Sequence, residues 1–255
     1  RVGREHAEVL PPNTWAAYKL QSIEGYDPIY LNNYSSFMHF LNGGDIRTGN
    51  STRYAEVTSN HSSPYLETLN TKFFIVLKDD DMYIPSKNYR VVFEDKSTAI
   101  LENPDALERV YFAASILTLP ESKIEDTIMD DPNFNPRKED ALSKDLNIKS
   151  VTGKGIAKIS YYSPNLIKIN TETVSEEVLV LGDQYEDGWI ATVNGSKTKI
   201  SPANYILRAI KVPPGKNEIS FYYLPNAFTL GQKISAISVF FLLVLSAIYI
   251  KKREF

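Results

Sequence analysis

The chain contains no cysteine in 255 residues. That excludes a disulfide framework, a thiolate zinc site and cysteine nucleophilic catalysis. Positive charge is not in excess, with 28 Lys and Arg against 31 Asp and Glu and a net charge of −3. No basic stripe is available to neutralise phosphates, so no nucleic-acid partner is expected. There is no Gly-rich phosphate loop and no Gly-x-Ser-x-Gly elbow. The three histidines, His6, His39 and His61, are too scattered for a His-Glu-x-x-His metal helix. They are expected in packing or exposed roles, and no metal or cofactor is expected. Long apolar runs are also scarce. Outside the C-terminus the longest, Phe73–Leu77 and residues 178–181, are strand-sized.

What is present begins with the one long apolar run. Residues 234–250 read ISAISVFFLLVLSAIYI without a charge, and Lys251, Lys252 and Arg253 follow at once. As a helix this run rises about 26 Å, a little short of a ~30 Å hydrocarbon core. Phe228, Leu230 and Gly231 can lengthen it, while Lys233 can snorkel. Tyr249 sits at an aromatic-belt position, and the basic cluster marks the cytoplasmic end. The expectation is a transmembrane helix over 228–250, a cytoplasmic tail over 251–255 and an extracytoplasmic bulk. The alternative is a buried core helix of a soluble protein. Arg1-Val2-Gly3-Arg4 carries neither an initiator Met nor a signal peptide. The reading favoured is the tail of a longer chain with earlier membrane helices.

The rest divides by texture. Sixteen Tyr and twelve Phe against three Met suggest β-rich structure with aromatic packing. Residues 1–148 mix short strands, helices and polar loops, a mixed α+β subdomain. Helices are predicted over 33–41, 64–69, 121–129 and 137–143, and an extended run over 15–23. From 149 the pattern becomes serial β, with runs at 149–162, 166–170, 177–181, 189–193, 197–200, 206–212 and 218–223. Turn signals separate them, including Ser201-Pro202 and Pro213-Pro214-Gly215. Regular short strands indicate an antiparallel β-sandwich or jelly roll over 149–227. Asn194-Gly195 predicts a type I′ hairpin that puts Trp189, Ala191 and Val193 on one face.

Several constellations carry chemistry, each with a plainer reading. Asp79-Asp80-Asp81 contains an Asp-x-Asp that could hold a divalent metal, but three acids after a strand also make a solvated turn. Glu125-Asp126 and Asp130-Asp131 could supply a carboxylate pair, in a segment that reads as mobile. Glycan-acceptor triplets at Asn33, Asn50, Asn60 and Asn194 are common by chance. Tyr161, Tyr162, Tyr185, Trp189, Tyr222 and Tyr223 could stack sugars, or could pack a core, since each lies in or beside a predicted strand.

Two stretches carry a family signal. One runs from Val178 through Tyr185, Gly188 and Trp189 to Asn194-Gly195. The other runs from Ile206 through Arg208-Ala209-Ile210 and Val212-Pro213-Pro214-Gly215 to Tyr223-Leu224-Pro225, Phe228 and Gly231. Together they resemble the C-terminal end of YfhO-type bacterial membrane proteins, with Asn194 where Asp is more usual. Looser similarity covers Arg1-Val2, Ser22 to Pro28 and Leu69 to Ile75. The resemblance implies a polytopic GT-C-type glycosyltransferase in a bacterial cell membrane. It would move sugar from a polyprenyl-phosphate donor to an envelope polymer. Its catalytic carboxylate is expected in an early extracytoplasmic loop outside these residues, so no catalytic residue is carried over. The expected partners are the lipid bilayer, a polyprenyl-phosphate sugar and envelope glycan. If the domain reads a polymer, Tyr185 and Trp189 would stack on it and Arg208 would contact phosphate bidentately. Otherwise Trp189 anchors the sandwich core and Arg208 makes a sheet-surface ion pair. A further alternative is a membrane-anchored structural or glycan-binding β module without a catalytic role.

Overall fold

A computed structural model describes residues 1–5, 9–49, 53–78 and 88–253. The Asp79-Asp80-Asp81 loop, His6 and the Asn50 triplet lie outside the described residues. The N-terminal part holds β1 (Val2–Arg4), a 3₁₀ turn at Thr14–Tyr18, β2 (Gly25–Tyr26), α1 (Asn32–Leu41), β3 (Tyr54–Ala55) and α2 (Pro64–Thr68). It continues with β4 (Phe73–Leu77), β5 (Arg90–Glu94), β6 (Thr98–Glu102), β7 (Val110–Phe112), β8 (Ile116–Thr118), α3 (Glu121–Asp130) and β9 (Asp140–Leu142). After it come β10 (Ile156–Ser163), β11 (Leu166–Thr173), β12 (Glu177–Leu181), β13 (Trp189–Val193) and β14 (Ser196–Thr198). Then follow β15 (Ile200–Ala203), β16 (Leu207–Val212), β17 (Gly215–Tyr223) and α4 (Asn226–Arg253). The architecture is mixed α/β followed by mostly β, with one apolar helix at the C-terminal end.

A six-stranded sheet in the order β7-β12-β16-β15-β9-β8 lies at the centre. It joins residues 110–142 to residues 177–212, across position 148. One of its faces packs on a five-stranded sheet, β10-β11-β17-β13-β14, through Phe112, Ile169, Leu179, Leu181, Ile210 and Phe221. The other face packs on α1, α2 and α3 through Val178, Val180, Ala209, Phe37, Leu66 and Ile124. This explains why residues 178–181 of β12 are an unbroken apolar run: successive side chains point to opposite faces, and both faces are covered. Glu177, at the start of the strand, is buried and accepts from Thr152 N–H and the Ser175 hydroxyl. A separate four-stranded sheet, β1-β4-β6-β5, has its own small core around Phe74, Val76, Ala99 and Leu101.

Local expectations fare unevenly. Asn194 and Gly195 both take positive φ, 51° and 81°, and close the β13–β14 hairpin in the expected register. Ser201-Pro202 is not a turn; both residues lie inside β15, and the reversal falls at Asn204 and Tyr205, with φ 46° and 75°. The predicted 137–143 helix is instead a coil leading into β9. There the buried Asp140 and Leu142 are held by β8 and β15, so tertiary pairing overrides local propensity. Residues 15–18 form a 3₁₀ turn where an extended run was expected, with Trp15 buried in it.

α4 carries an apolar stretch Asn226–Ile250 with none of its most apolar window buried. Twenty-five residues rise about 38 Å, enough to cross a ~30 Å core. A soluble core helix would hide such a surface; here Phe240, Phe241 and Leu243 stand 65, 62 and 65 % exposed. In a lipid bilayer that surface faces acyl chains.

Candidate functional site

The predicted site residues meet at one end of the sandwich. Arg208 shares an inward face of β16 with Ile210 and Val212, by the two-residue period. It therefore points between the sheets, and only 2 % of it is exposed. Its guanidinium lies over the Trp189 ring at 3.8 Å and near Phe221 at 5.5 Å. Trp189 is half-buried and packs beside Tyr223, its register partner on β17. Both plainer expectations are thus met in part: Trp189 lies against the core, and Arg208 is ion-paired. The pair lies inside the sandwich and not on its surface.

The partner of Arg208 is Asp183, two residues beyond β12 and 4 % exposed. Asp183 is a hub. Its carboxylate takes Arg1 in a close ion pair, and Arg109 through two nitrogens at 2.7 and 2.9 Å. The Tyr162 hydroxyl lies 3.3 Å from its second oxygen. Arg208 is the remote member: Nη2 stands 3.4 Å from the carboxylate and Nε 3.5 Å from the Asp183 carbonyl. Both contacts are long for charge-assisted hydrogen bonds, which favour about 2.7–2.9 Å. Nη1 of Arg208 and Nε2 of the neighbouring Gln184 are buried with no partner among the described residues. A buried donor left unpaired costs about 1–3 kcal/mol, and more when charged.

Electrostatics follow the geometry. Burial pushes the Asp183 carboxyl up, but Arg1, Arg109 and Arg208 outweigh it and hold it below its ordinary value. Burial is the main cause that lowers Arg208, to about 10, and the other two arginines add to it against Asp183. Arg208 remains a cation at neutral pH.

A cleft of about 250 Å³ opens here, lined by Arg1, Tyr162, Gln184, Glu186, Trp189 and Arg208 among others. A neighbouring groove of about 410 Å³ shares Leu31 and Glu186 with it and adds Asn32, Asn33, Lys144, Tyr185 and Asp187. Tyr185 is held by its hydroxyl, 2.9 Å from both Lys144 Nζ and Asp187, and the Lys144 ammonium lies 5.0 Å from its ring centre. So Trp189 and Arg208 share the first cleft, and Tyr185 belongs to the second. Two larger clefts, of about 640 and 550 Å³, lie among exposed strand residues near Asn194 and contain none of the three.

The site is tied to the root of α4. Leu224 N–H donates to the Gly188 carbonyl at 2.8 Å. Gly188 has φ 110°, and a Cβ there would come within 3.1 Å of Pro225. Only glycine allows the loop before Trp189 to lie so close to the chain entering the helix.

Other candidates resolve differently. Asp126 and Asp130 lie on the ordered α3 and both pair with Arg47, at 3.4 and 2.9 Å, so they are surface ion-pair partners rather than part of a mobile segment. His61 is buried, 2.9 Å from the Val57 carbonyl and edge-on to Phe74; burial lowers its pKa. Among the described residues no group of three or more His, Asp or Glu could hold a metal. Sequence reasoning missed Arg1, Arg109 and Asp183 as site members. The available signal was a polar residue in the inward phase of an apolar strand, Arg208 in LRAIKV, whose buried charge demands a partner.

A β-sandwich bearing a buried arginine cluster, continuous with an apolar membrane-length helix, defines a membrane protein with a folded extramembrane domain. Over residues 129–235 this chain matches the family described as "Bacterial membrane protein YfhO". It is 30 % identical over 93 residues to "Uncharacterized protein YfhO" of Bacillus subtilis (strain 168). The match covers 36 % of this chain and 10 % of that relative, so the chain matches about a tenth of the relative's length. No solved structure matches the chain.

Proposed function

We propose that this chain is the extracytoplasmic C-terminal portion of a polytopic, glycosyltransferase-like membrane protein. It assists transfer of sugar from a polyprenyl-phosphate donor to a cell-envelope polymer. In this reading residues 1–227 lie outside the cell membrane, 228–250 cross it, and the basic 251–255 end is cytoplasmic. The observation that carries it is the gathering of Tyr185, Trp189 and Arg208 beside two joined polar clefts at the sandwich end that feeds α4. Aromatic rings and a guanidinium are the groups a sugar phosphate needs, and this end of the domain is the one nearest the lipid. The test is Tyr185→Ala and Trp189→Ala in the full protein in its own membrane, scored by sugar incorporation into the envelope polymer. A large loss with the protein still folded and inserted supports the reading; unchanged incorporation removes it.

A second reading is a membrane-anchored structural or glycan-binding β module without a catalytic role. It is favoured by the burial of Arg208, whose guanidinium covers one face of Trp189. Under it the same replacements lower thermal stability and leave sugar transfer intact.

A further inference from the structure

We propose that the Arg208 cleft is a phosphate-binding site, and that its ligand is the phosphate group of a membrane lipid. Charge points to an anion. Arg1, Arg109 and Arg208 surround Asp183, and Glu186 is the second carboxylate at the cleft. Three cations against two anions leave one positive charge uncompensated in a largely desolvated place, where such a surplus is costly. Hydrogen bonding points the same way. Asp183 is engaged closely by Arg1 and Arg109, while Arg208 reaches it only at 3.4 Å and keeps Nη1 unpaired. Gln184 Nε2, at the same cleft, is unpaired too. Two orphan donors at one cleft, one on a cation only 2 % exposed, are what an oxyanion with several acceptor oxygens would satisfy. The guanidinium lies 3.8 Å over the Trp189 ring and keeps Nη1 unpaired for an oxyanion.

Position points to a lipid. Arg208 stacks on Trp189, Trp189 pairs with Tyr223, and α4 starts at Asn226. The span Asn226–Ile250, about 38 Å long, exceeds the ~30 Å hydrocarbon core. With the basic 251–253 end at the opposite interface, as the sugar-transfer reading has it, the surplus of about 8 Å puts the first turns at headgroup depth, and the Leu224–Gly188 hydrogen bond keeps the loop before Trp189 against the chain that enters them. Lipid phosphates occupy that level. The inference deepens the sugar-transfer reading above and rests on it for the depth of the cleft and the class of lipid, a polyprenyl phosphate; the anion site itself stands on the charge and hydrogen-bond geometry.

The experiment uses the full chain in neutral maltoside micelles, followed by calorimetry and by tryptophan emission. It is titrated with a polyprenyl monophosphate, the matching polyprenol, and inorganic phosphate against chloride at equal ionic strength. Saturable binding of the polyprenyl phosphate, and not of the polyprenol, is expected. Arg208→Met keeps side-chain volume and leaves Asp183 paired with Arg1 and Arg109; it should weaken binding at least about tenfold, the loss of a charge-assisted contact. Gln184→Ala, which removes no charge, should weaken it severalfold and serves if Arg208→Met does not fold. Inorganic phosphate binding as tightly as the lipid would overturn the lipid assignment and support the anion site. No binding of either phosphate to folded protein, or equal affinity in the variants, overturns the proposal. If binding fails while Tyr185→Ala and Trp189→Ala still abolish sugar incorporation, the phosphate site falls and the sugar-transfer reading survives.

Discussion

Two buried arginines in this molecule each lie over a tryptophan, and their surroundings are opposite. Arg4, 2 % exposed, lies 5.5 Å from the Trp15 ring. It donates to Glu24 at 3.0 Å, to the Leu10 carbonyl at 2.7 Å and to Glu56 at 3.4 Å. One cation meets two carboxylates, and Glu24 also accepts from Val57 N–H at 2.9 Å. Arg208 is one of three cations around Asp183 and keeps an unpaired nitrogen. The first cluster has an excess of acid and its arginine is saturated, so it locks β1 to the following loops. The second has an excess of base and an unmet donor at a cleft. The same Arg–Trp unit is therefore saturated in one place and, on the phosphate proposal, a receptor in the other, and what separates them is the local sum of charges and hydrogen bonds.

The largest effect is expected at Arg4. Arg4→Met would leave Glu24 buried without its cation, a change that costs about 3–5 kcal/mol. Denaturant unfolding should show that loss, whereas Arg208→Met should cost less than about 1 kcal/mol, because Asp183 keeps two guanidiniums. Equal losses would erase the distinction. Next in size is Asp183→Asn. Three guanidiniums would then face one neutral amide, lowering stability by about 3 kcal/mol. Phosphate buffer should restore part of that loss relative to chloride, and Arg4→Met should show no such recovery.

The third effect is pH. Glu24, mainly through burial, is raised to about 7, and Asp140, again mainly through burial, to about 7. A carboxyl with a raised folded pKa binds its proton more tightly in the folded state. Stability is then full below the ordinary carboxyl range and declines as pH rises toward 7, by up to ~1.4 kcal/mol per unit of pKa difference. Thermal unfolding should give a lower Tm at pH 8 than at pH 5. Asp140→Asn keeps an acceptor for Tyr111 and Asn204, at 2.9 and 2.7 Å, and should flatten part of that slope. A slope unchanged in this variant would assign the effect to the other two carboxyls that burial raises to about 7, Glu24 and Glu67. The smallest effect is at the hairpin. Asn194→Ala puts a less tolerant residue at φ 51° and removes its bonds to Asn217 and to Glu218 N–H, costing about 1 kcal/mol by chemical denaturation.

Much of the fold is legible in the sequence. Asn194-Gly195 fixed a hairpin because both turn positions need positive φ. The period of two in residues 189–193 fixed which side of β13 faces the core. Residues 137–143 and Ser201-Pro202 depart from expectation because β9 is held by β8 and by β15, and Leu142 pairs with Ala203 some sixty residues further along the chain. The site was legible only in part. Arg208, Trp189 and Tyr185 are conspicuous polar or aromatic residues among apolar neighbours. Arg1 and Arg109 gave no local sign, because each reaches Asp183 across 182 and 74 residues of chain.

The sequence by itself determined the cysteine-free chemistry, the mostly β texture of the second half and the membrane-length apolar helix, because composition and short-period patterning encode these locally. Only the tertiary structure decided which charges share a desolvated space. That depends on long-range pairing, which brings Arg208 opposite Leu181 and sets the Asp183 carboxylate among three guanidiniums. Coulomb and desolvation energies act through distance in space, and the chain order carries no direct record of it.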